Sequence, residues 1–352
     1  MTEPASEVSA FIAALPKAEL HVHLVGSASV PTVLELARRS PDKGVPTEQA
    51  ELERFYRFTD FAHFIEVYIA VNSLVTTGED VESLVVGLAR DLAANNVRYA
   101  EVTVTPYSHL LVGIAAEDIT AALENGRRRA TQEHGVQVNY VFDIPGELGP
   151  EAGIKSARWV LDHAPSGTVA FGLGGPEIGF PREVFAESFD MVRAAGLPTV
   201  PHAGETTGPE SVWAAIERLG AQRIGHGINA AGDELLMAHL AERDLPLEIC
   251  PTSNICTGAV ADLTEHPFNT LRDAGVPLTL NSDDPGMFAT TLNREYEIAH
   301  EVFGLSPSEL VDLARAAVRY SFADDDTQAA LSAAIDQMAE VADGVTASGV
   351  EA

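Results

Sequence analysis

The amino-acid sequence predicts an α/β fold, a (β/α)8 TIM barrel with a helical lid inserted after strand 1 and extra helices at its C-terminal end. Eight short runs rich in apolar and β-branched residues recur along the chain, and helix-compatible sequence separates most of them. Such alternation is typical of parallel strands joined by crossover helices. The length of 352 residues suits one barrel with insertions. A doubly wound open sheet is the alternative, but the GxGxxG turn of a dinucleotide binder is absent.

The eight predicted strands fix the order of the remaining elements. A closed eight-stranded barrel accounts for their number, and the segments between them are expected to supply the surrounding helices. In chain order the predicted strands are Ala18–Leu24, Val97–Thr105, Val136–Ile144, Thr168–Gly174, Leu197–His202, Arg223–Gly227, Leu245–Cys250 and Val276–Asn281.

The connection between the first two strands, residues 27–96, is unusually long. It contains a helical pattern over Phe55–Val75, in which Phe58 and Phe61 belong to a stripe of apolar residues at helical spacing. Packing in the core explains such a stripe. A lid over the barrel mouth, where active sites of this fold lie, explains it too. Residues 1–342 are predicted to form a single domain, and the small, polar residues 343–352 a disordered tail.

The composition excludes several classes of function. The formal net charge is −30, so no binding to nucleic acid or to an anionic membrane surface is expected. No apolar stretch approaches the roughly 18 residues that a membrane span requires. The first residues are acidic and polar, unlike a signal peptide, and two cysteines are too few for a disulfide framework. A cytoplasmic protein is predicted.

Polar residues cluster at the carboxyl ends of the predicted strands. His21 and His23 are two residues apart on the first strand, so their side chains point to the same face. His202 ends the fifth strand, His226 ends the sixth, and Asp283 follows the eighth. Three of these four histidines and the carboxylate, with space for water, would form the open site that a catalytic metal needs. Because these residues all lie at carboxyl ends of predicted parallel strands, which share one rim of a barrel, the sequence predicts a metal site at that rim.

Several of these residues have simpler explanations when each is taken alone. Glu205 fits the cap of the helix that follows it, and Asp283 and Asp284 before a proline fit ordinary turn chemistry. An isolated His-x-His pair more often lies on the surface or in the core than on a metal. Cys250 and Cys256 are interpreted as structural, since no Cys-x-x-Cys pair is present.

Taken together, the motifs resemble the adenosine deaminase family of metal-dependent hydrolases, from the first strand to about Tyr320. None of the motifs is specific alone, and their order and separations carry the resemblance. The matching segments are Glu19–Gly26 (ELHVHLVG), Asp60–Phe61, Gly174–Glu177 (GGPE), His202–Glu205 (HAGE), His226–Gly227, Pro251–Asn254 (PTSN) and Ser282–Pro285 (SDDP).

The resemblance implies hydrolytic removal of the 6-amino group of an adenosine-like nucleoside, with one Zn²⁺ per chain lowering the pKa of its bound water. Glu205 would protonate the purine nitrogen beside the reacting carbon, which requires an acid form that an enclosed apolar pocket favours. His226 would orient the attacking oxygen, accept its proton or stabilise the developing charge. The implied zinc ligands are His21, His23, His202 and Asp283, the catalytic residues Glu205, His226 and Asp283, and the purine-binding residues Gly175 and Asp284.

Two positions depart from the family pattern. Adenosine deaminases usually have Asp two residues after the histidine pair, where it binds the ribose 5′-hydroxyl, and this chain has Val25. A buried hydroxyl left unpaired there would cost about 1–3 kcal/mol. The substrate is therefore predicted to lack a free 5′-hydroxyl. Pro176 stands where the family commonly has Asp, which leaves the backbone contact of Gly175 possible.

Family members that accept 5′-extended nucleosides include deaminases of aminodeoxyfutalosine, an intermediate of an alternative menaquinone pathway. This nucleoside carries an apolar, carboxylated aromatic group at its 5′ position, which suits Val25 and the aromatic residues Phe58 and Phe61. It is the predicted substrate. Adenosine is the alternative, and adenine, methylthioadenosine and S-adenosylhomocysteine are further possibilities. Candidate donors for the substrate carboxylate are Arg54, Arg57 and Ser108.

Two competing classes follow from the same predicted barrel. Binuclear amidases and phosphotriesterases generally bridge two metals with a carboxylated lysine on the fourth strand, but Thr168–Gly174 has no lysine and Lys155 precedes it. A binding protein that keeps the fold without catalysis is the other class. The ligands, the acid and the base are all present, which favours an enzyme whose partner is a small nucleoside. The oligomeric state is left open.

Overall fold

A computed structural model describes residues 7–57 and 61–348, and within them eight parallel strands form a ring in chain order. The strands are β1 Lys17–His23, β2 Val97–Val104, β3 Gln137–Pro145, β4 Thr168–Gly174, β5 Thr199–Ala203, β6 Ile224–His226, β7 Leu247–Ile249 and β8 Leu278–Leu280. The segment after β8 closes the ring. Asp283 pairs with Val22 of β1, and its backbone N–H donates to the carbonyl of His21 at 3.1 Å. The predicted barrel is confirmed.

Helices surround this ring and fill the connections. They are α1 Glu7–Ala14, α2 Val30–Arg39, α3 Gln49–Phe55, α4 Phe61–Asn72, α5 Gly78–Ala94, α6 Pro106–Leu111, α7 Ala116–Arg129, α8 Gly149–His163, α9 Ala186–Ala194, α10 Pro209–Ala214, α11 Glu234–Glu242, α12 Pro251–Cys256, α13 Phe268–Asp273, α14 Pro285–Phe288, α15 Leu292–Glu301, α16 Pro307–Tyr320 and α17 Asp325–Ser348. Short 3-10 helices cover Pro41–Lys43, Gly146–Leu148, Arg182–Phe185, Ile228–Gly232 and Leu263–Glu265, and π-helices cover Ala130–His134 and Ala215–Leu219.

Local signals explain where two of the longer helices begin. Thr77 precedes α5, and its hydroxyl accepts from the backbone N–H of Asp80, whose carboxylate accepts from Thr77 in return. Ser306 and Glu309 form the same reciprocal pair at the start of α16. Each pair satisfies backbone donors that the first turn of a helix leaves free. These caps therefore determine the residues at which α5 and α16 begin.

The extra C-terminal helices close the structure beside the first strand. Helix α16 packs against β1 and β8, α17 packs against α16, and α1 packs against α15 and α17. The buried ammonium of Lys17 donates to the carbonyls of Ile12 at 2.6 Å and Leu15 at 2.7 Å, which ties α1 to β1. Burial lowers the pKa of Lys17 to about 7. Helix α17 is described as far as Ser348, and both the domain limits and the tail at 343–352 stay predictions.

The long insertion after β1 contains α2 to α5 rather than one continuous helix over Phe55–Val75. Helix α3 ends at Phe55, and the hydroxyl of Tyr56 donates to the carbonyl of Ala28 at 3.0 Å, which holds the end of α3 against the segment after β1. Phe58 lies outside the described residues, and of Phe61 only the helical backbone is described. Their role in a lid stays a prediction. None of the helices in the described ranges is long and apolar enough to cross a membrane.

Candidate active site

The four residues predicted to bind a metal converge at the carboxyl ends of the strands. His21 and His23 lie on β1, His202 lies on β5, and Asp283 follows β8. One nitrogen or oxygen from each of the four side chains lies within 4.8 Å of the others. Three of them are buried and His23 is half-buried, so the cluster opens toward the barrel mouth on one side.

The spacing of these atoms fits a zinc ion. The Nε2 atoms of His23 and His202 are 3.2 Å apart, and Asp283 Oδ1 lies 3.2 Å from His23 Nε2 and 3.5 Å from His21 Nε2. Ligands of a tetrahedral zinc with Zn–N bonds of 2.0–2.1 Å are about 3.3 Å apart. The Nε2 atom of His21 is buried and has no hydrogen-bond partner in the described part of the chain. Imidazoles with one carboxylate are donors that zinc accepts.

A buried ion-pair network orients His21. Its Nδ1 lies 2.8 Å from Glu248 Oε2, and because a carboxylate only accepts, Nδ1 donates and Nε2 presents its lone pair to the cluster. Arg223 Nε donates to the other oxygen of Glu248 at 2.6 Å, and Arg223 also pairs with Glu101. Burial opposes ionisation of Glu248, but Arg223 and His21 lower its pKa below the ordinary value.

Sequence reasoning missed this network, although a signal was available. Glu101 lies on β2, Glu248 lies on β7 and Arg223 directly precedes β6, and all three charged residues are fully buried. A charged residue in a strand buried on both faces needs a partner of opposite charge, since an isolated buried charge is costly. Which residues pair could not be read from the sequence, because the three lie at different strands.

The predicted catalytic residues lie beside the metal cluster. His226 Nε2 is 3.7 Å from Glu205 Oε2 and 3.7 Å from Asp283 Oδ2. Burial raises the pKa of Glu205, which favours its acid form. His226 and Asp283 have positive φ angles of 60° and 65°, a conformation that is uncommon outside glycine and that occurs at active sites. The arrangement brings an acid, an imidazole and a carboxylate to one point.

Glu177, the last residue of the GGPE segment, holds the loop that carries Glu205. Its carboxylate accepts from the backbone N–H groups of Gly204 at 2.8 Å, Glu205 at 2.8 Å and Thr206 at 2.9 Å. Burial alone would raise the pKa of Glu177. The hydrogen bonds that its carboxylate accepts, including those from the hydroxyls of Ser211 and Thr207, lower the pKa below its ordinary value. Sequence analysis identified the motif without a role for this residue, and the structure gives it a structural one.

Asp283 is fixed by neighbours on both sides. The Ser253 hydroxyl donates to its Oδ2 at 2.6 Å, while Oδ1 faces the histidines of β1. The preceding residue, Ser282, donates its backbone N–H to the buried carboxylate of Glu19 at 3.0 Å. The PTSN segment therefore supplies Ser253, which holds the Asp283 carboxylate directly, and the SDDP segment supplies Ser282, which anchors the backbone next to Asp283.

The purine-binding residues predicted from the resemblance lie at the same mouth. Burial and the adjacent Asp283 raise the pKa of Asp284 well above its ordinary value. Its Oδ1 is buried without a hydrogen-bond partner among the described residues. A Cβ atom on Gly26 would lie 1.4 Å from that oxygen, so Gly26 leaves the space that Asp284 occupies. Gly175 is exposed and has a φ of 76°, and its backbone contact to substrate stays a prediction.

The Gly26→Ala variant is expected to displace Asp284 and lower kcat/KM by about 10- to 100-fold, because small misplacements in a site are that costly. Zinc content should not change, since the three atoms nearest to the added methyl group all belong to Asp284 and none to a predicted metal ligand. Steady-state kinetics and metal analysis check both points. Gly232→Ala is the control, because Gly232 has no positive φ angle and the nearest atom to a Cβ there lies at an ordinary contact distance of 3.6 Å. Equal activity of the two variants would contradict the expectation.

Val25 lines a cavity next to the metal cluster. Val25 is almost fully buried, while the side chains of Asn72 and Ser108 are half-buried. Arg54 and Arg57 are exposed and do not line this cavity, so Ser108 is the one predicted carboxylate donor at this place. The residues around the cavity are His23, Leu24, Val25, Tyr68, Asn72, Thr103, Thr105, Ser108 and His109.

Comparison with known proteins gives consistent results. The family model for adenosine deaminase matches residues 16–338. An aminodeoxyfutalosine deaminase of Streptomyces coelicolor is 52% identical over 332 residues, which cover 94% of this chain and 86% of that protein. An adenine deaminase of Rhizobium leguminosarum bv. trifolii is 36% identical over 319 residues, covering 91% and 98%. A zinc-bound amidohydrolase of Burkholderia ambifaria superimposes with a TM-score of 0.88 at 28% identity, covering 98% and 96%.

Proposed function

Because the chain belongs to the adenosine deaminase family, we propose that it is a zinc hydrolase that removes the 6-amino group of a 5′-extended adenosine nucleoside, aminodeoxyfutalosine. The observation that carries the reaction is the meeting of Glu205, His226 and Asp283 beside the four-residue metal cluster. One zinc ion per chain, held by His21, His23, His202 and Asp283, is part of the proposal. The proposal also includes a role for the protein in menaquinone synthesis in the cytoplasm.

Two residues act on the purine in this proposal. Glu205 gives its proton to the ring nitrogen beside C6, which makes C6 more electrophilic. Its hydroxyl neighbour Thr257 lies 3.0 Å from Oε1 and also 2.9 Å from the carbonyl of Ser253, to which only a donor can bond. When the Thr257 proton goes to that carbonyl, Thr257 donates nothing to Glu205, and the single proton of the acid form is left for the ring nitrogen. Asp284 binds the imidazole side of the purine with its unpartnered oxygen.

The other residues act on the attacking oxygen. A bound zinc ion lowers the pKa of water and so makes a nucleophile available near neutral pH. His226 and Asp283 face the reacting atoms with Nε2 and Oδ2, and Ser253 keeps Oδ2 in place. Asp283 accepts a proton from the attacking water through Oδ2 as the oxygen adds to C6, and the amino group takes that proton and leaves as ammonia. The proton of the added hydroxyl returns to Glu205, which gives the 6-oxo product and restores the acid.

The cavity at Val25 supports the proposed aromatic extension at the 5′ position of the substrate. A ribose 5′-hydroxyl would meet the apolar Val25 side chain, whereas an aromatic extension would pack on it and reach Asn72 and Ser108. The hydroxyl of Ser108 and the amide of Asn72 are hydrogen-bond donors for the carboxylate of the extension. The 52% identity to a protein named aminodeoxyfutalosine deaminase, against 36% to one named adenine deaminase, supports the same choice.

The proposal is tested by comparing kcat/KM of the zinc-loaded protein for aminodeoxyfutalosine, adenosine, adenine, methylthioadenosine and S-adenosylhomocysteine. Deamination is followed by the absorbance change of the purine. A clear preference for aminodeoxyfutalosine supports the proposal. A preference for adenosine keeps the chemistry and assigns the protein to purine salvage, and absence of turnover on every aminopurine contradicts the proposed reaction.

The Val25→Asp variant is expected to raise kcat/KM for adenosine relative to aminodeoxyfutalosine by about 10- to 100-fold, since a paired buried hydroxyl replaces an unpaired one. The ratio of the two efficiencies is the measurement, because it does not depend on the amount of active enzyme. Val25→Ile is the matched control, since it changes the side-chain volume without adding an acceptor. An unchanged ratio in Val25→Asp would remove the 5′ argument.

A further inference from the structure

Behind His226, away from the metal cluster, three buried groups form a chain of hydrogen bonds. The backbone N–H of Phe268 donates to His266 Nδ1 at 3.1 Å, His266 Nε2 lies 3.1 Å from Asn254 Oδ1, and Asn254 Nδ2 lies 3.2 Å from His226 Nδ1. His226, Asn254 and His266 are all buried. Neither Asn254 nor His266 has a role in the mechanism described above.

The direction of every bond in this chain follows from its first member. A backbone N–H only donates, so His266 Nδ1 carries no proton. Burial lowers the pKa of His266 to about 4, so its ring is neutral and its single proton lies on Nε2. That proton is donated to Asn254 Oδ1. The other end of the amide is then the NH2 group, which donates to His226 Nδ1.

The Asn254 amide also fixes the position of the proton on the His226 ring. Because His226 Nδ1 accepts from Asn254, the proton of a neutral His226 lies on Nε2, the atom that faces Glu205 Oε2 and Asp283 Oδ2. A ring nitrogen that already carries a proton has no lone pair with which to take another. We propose that Asn254 and His266 are positioning residues that hold His226 as an Nε2–H donor, so that it donates to the attacking oxygen and does not remove its proton.

This inference rests on the proposed function only for its kinetic readout. The direct test uses the zinc-loaded protein labelled with ¹⁵N at histidine side chains, with the His226 signals assigned by their loss in His226→Gln. The ring ¹⁵N spectrum shows which nitrogen carries the proton. We expect a protonated Nε2 and an unprotonated Nδ1. A proton on Nδ1 would overturn the proposal whatever the substrate is.

Variants test the two positioning residues. Asn254→Leu removes the donor, so a population protonated at Nδ1 should appear in the spectrum. With the preferred substrate kcat should fall about tenfold, less than the 100- to 1000-fold cost of deleting a preorganised donor, while KM and zinc content stay the same. A residue with only a structural role would lower stability without moving the proton, and that result would contradict the proposal.

His266 supplies a matched pair of variants. His266→Gln keeps an N–H donor near the position of Nε2, and His266→Leu does not. We expect His266→Gln to keep the ¹⁵N signature of His226 and to exceed His266→Leu in kcat by about tenfold, the same loss as in Asn254→Leu. Equal kcat values and equal spectra for the pair would overturn the role of His266. If no aminopurine is turned over, the proposed function fails while the spectra still decide the tautomer.

Discussion

Replacing Glu205 by glutamine is expected to lower kcat by about 100- to 10,000-fold, the usual contribution of a general acid. Glutamine has the same shape and still donates a hydrogen bond to the purine nitrogen, but it cannot transfer a proton. KM and zinc content should therefore stay close to those of the unchanged protein. Because burial raises the pKa of Glu205, the unchanged enzyme should also lose activity as pH rises through that pKa, when the acid form disappears.

The control for this variant is Glu217→Gln, which makes the same change on an exposed part of the π-helix Ala215–Leu219. It should behave as the unchanged protein in kcat, KM and melting temperature. If Glu205→Gln kept most of its turnover, Glu205 would not be the proton donor. The acid would then have to be sought elsewhere at the barrel mouth.

Replacing His23 by alanine is expected to weaken zinc binding by more than about 100-fold. Loss of a residue that only hydrogen-bonds to a metal ligand already costs about 10- to 100-fold in metal affinity, and loss of a ligand should cost more. His23 Nε2 faces His202 and Asp283, and no other role is assigned to that atom. Turnover should fall with occupancy, to less than about 1% when zinc is not in excess. The dissociation constant from chelator competition and the zinc content per chain are the measurements.

His134→Ala is the control for His23→Ala, because His134 ends the π-helix Ala130–His134 just before β3, at the amino ends of the strands and so opposite the metal cluster. It should keep one zinc ion per chain and full activity. Two zinc ions in the unchanged protein would favour a binuclear hydrolase instead. Full zinc binding by His23→Ala would exclude His23 from the ligand set.

The sequence alone was sufficient to predict the barrel and its order. Each of the eight predicted strands overlaps one observed strand, and Thr168–Gly174 coincides with β4. Apolar, β-branched runs report burial directly, because a strand in a barrel wall is covered on both faces. The predicted strands Leu245–Cys250 and Val276–Asn281 were too long at both ends, since β7 and β8 contain only Leu247–Ile249 and Leu278–Leu280.

The reactive groups were also predictable, for a geometric reason. His21, His202 and Asp283 lie at carboxyl ends of strands, and in a closed parallel barrel all such ends share one face. Their roles as ligands and catalysts stay predictions until tested. The position of each in the chain therefore implied its position in space, even though the residues are far apart in sequence.

The supporting groups were not predictable, because each acts through a contact between distant elements. Glu248 reaches His21 across the barrel interior, and His266 reaches His226 only through Asn254. The charge of Arg223 at a buried strand indicated that it needs a partner but not which one, and nothing in the pattern around His266 indicated a role. The break between α3 and α4 was missed because the apolar spacing continues across it.

The closure of the ring by Asp283 against β1 has a consequence for the order of events in the cell. Three of the four residues of the metal cluster, among them His21 and His202, leave the ribosome well before the fourth. Asp283 reaches its place only when the last strand docks beside the first, because its backbone forms that seam. An unfinished chain therefore has histidines but no complete cluster. We therefore expect that the proposed zinc ion meets all four residues only after the barrel has closed.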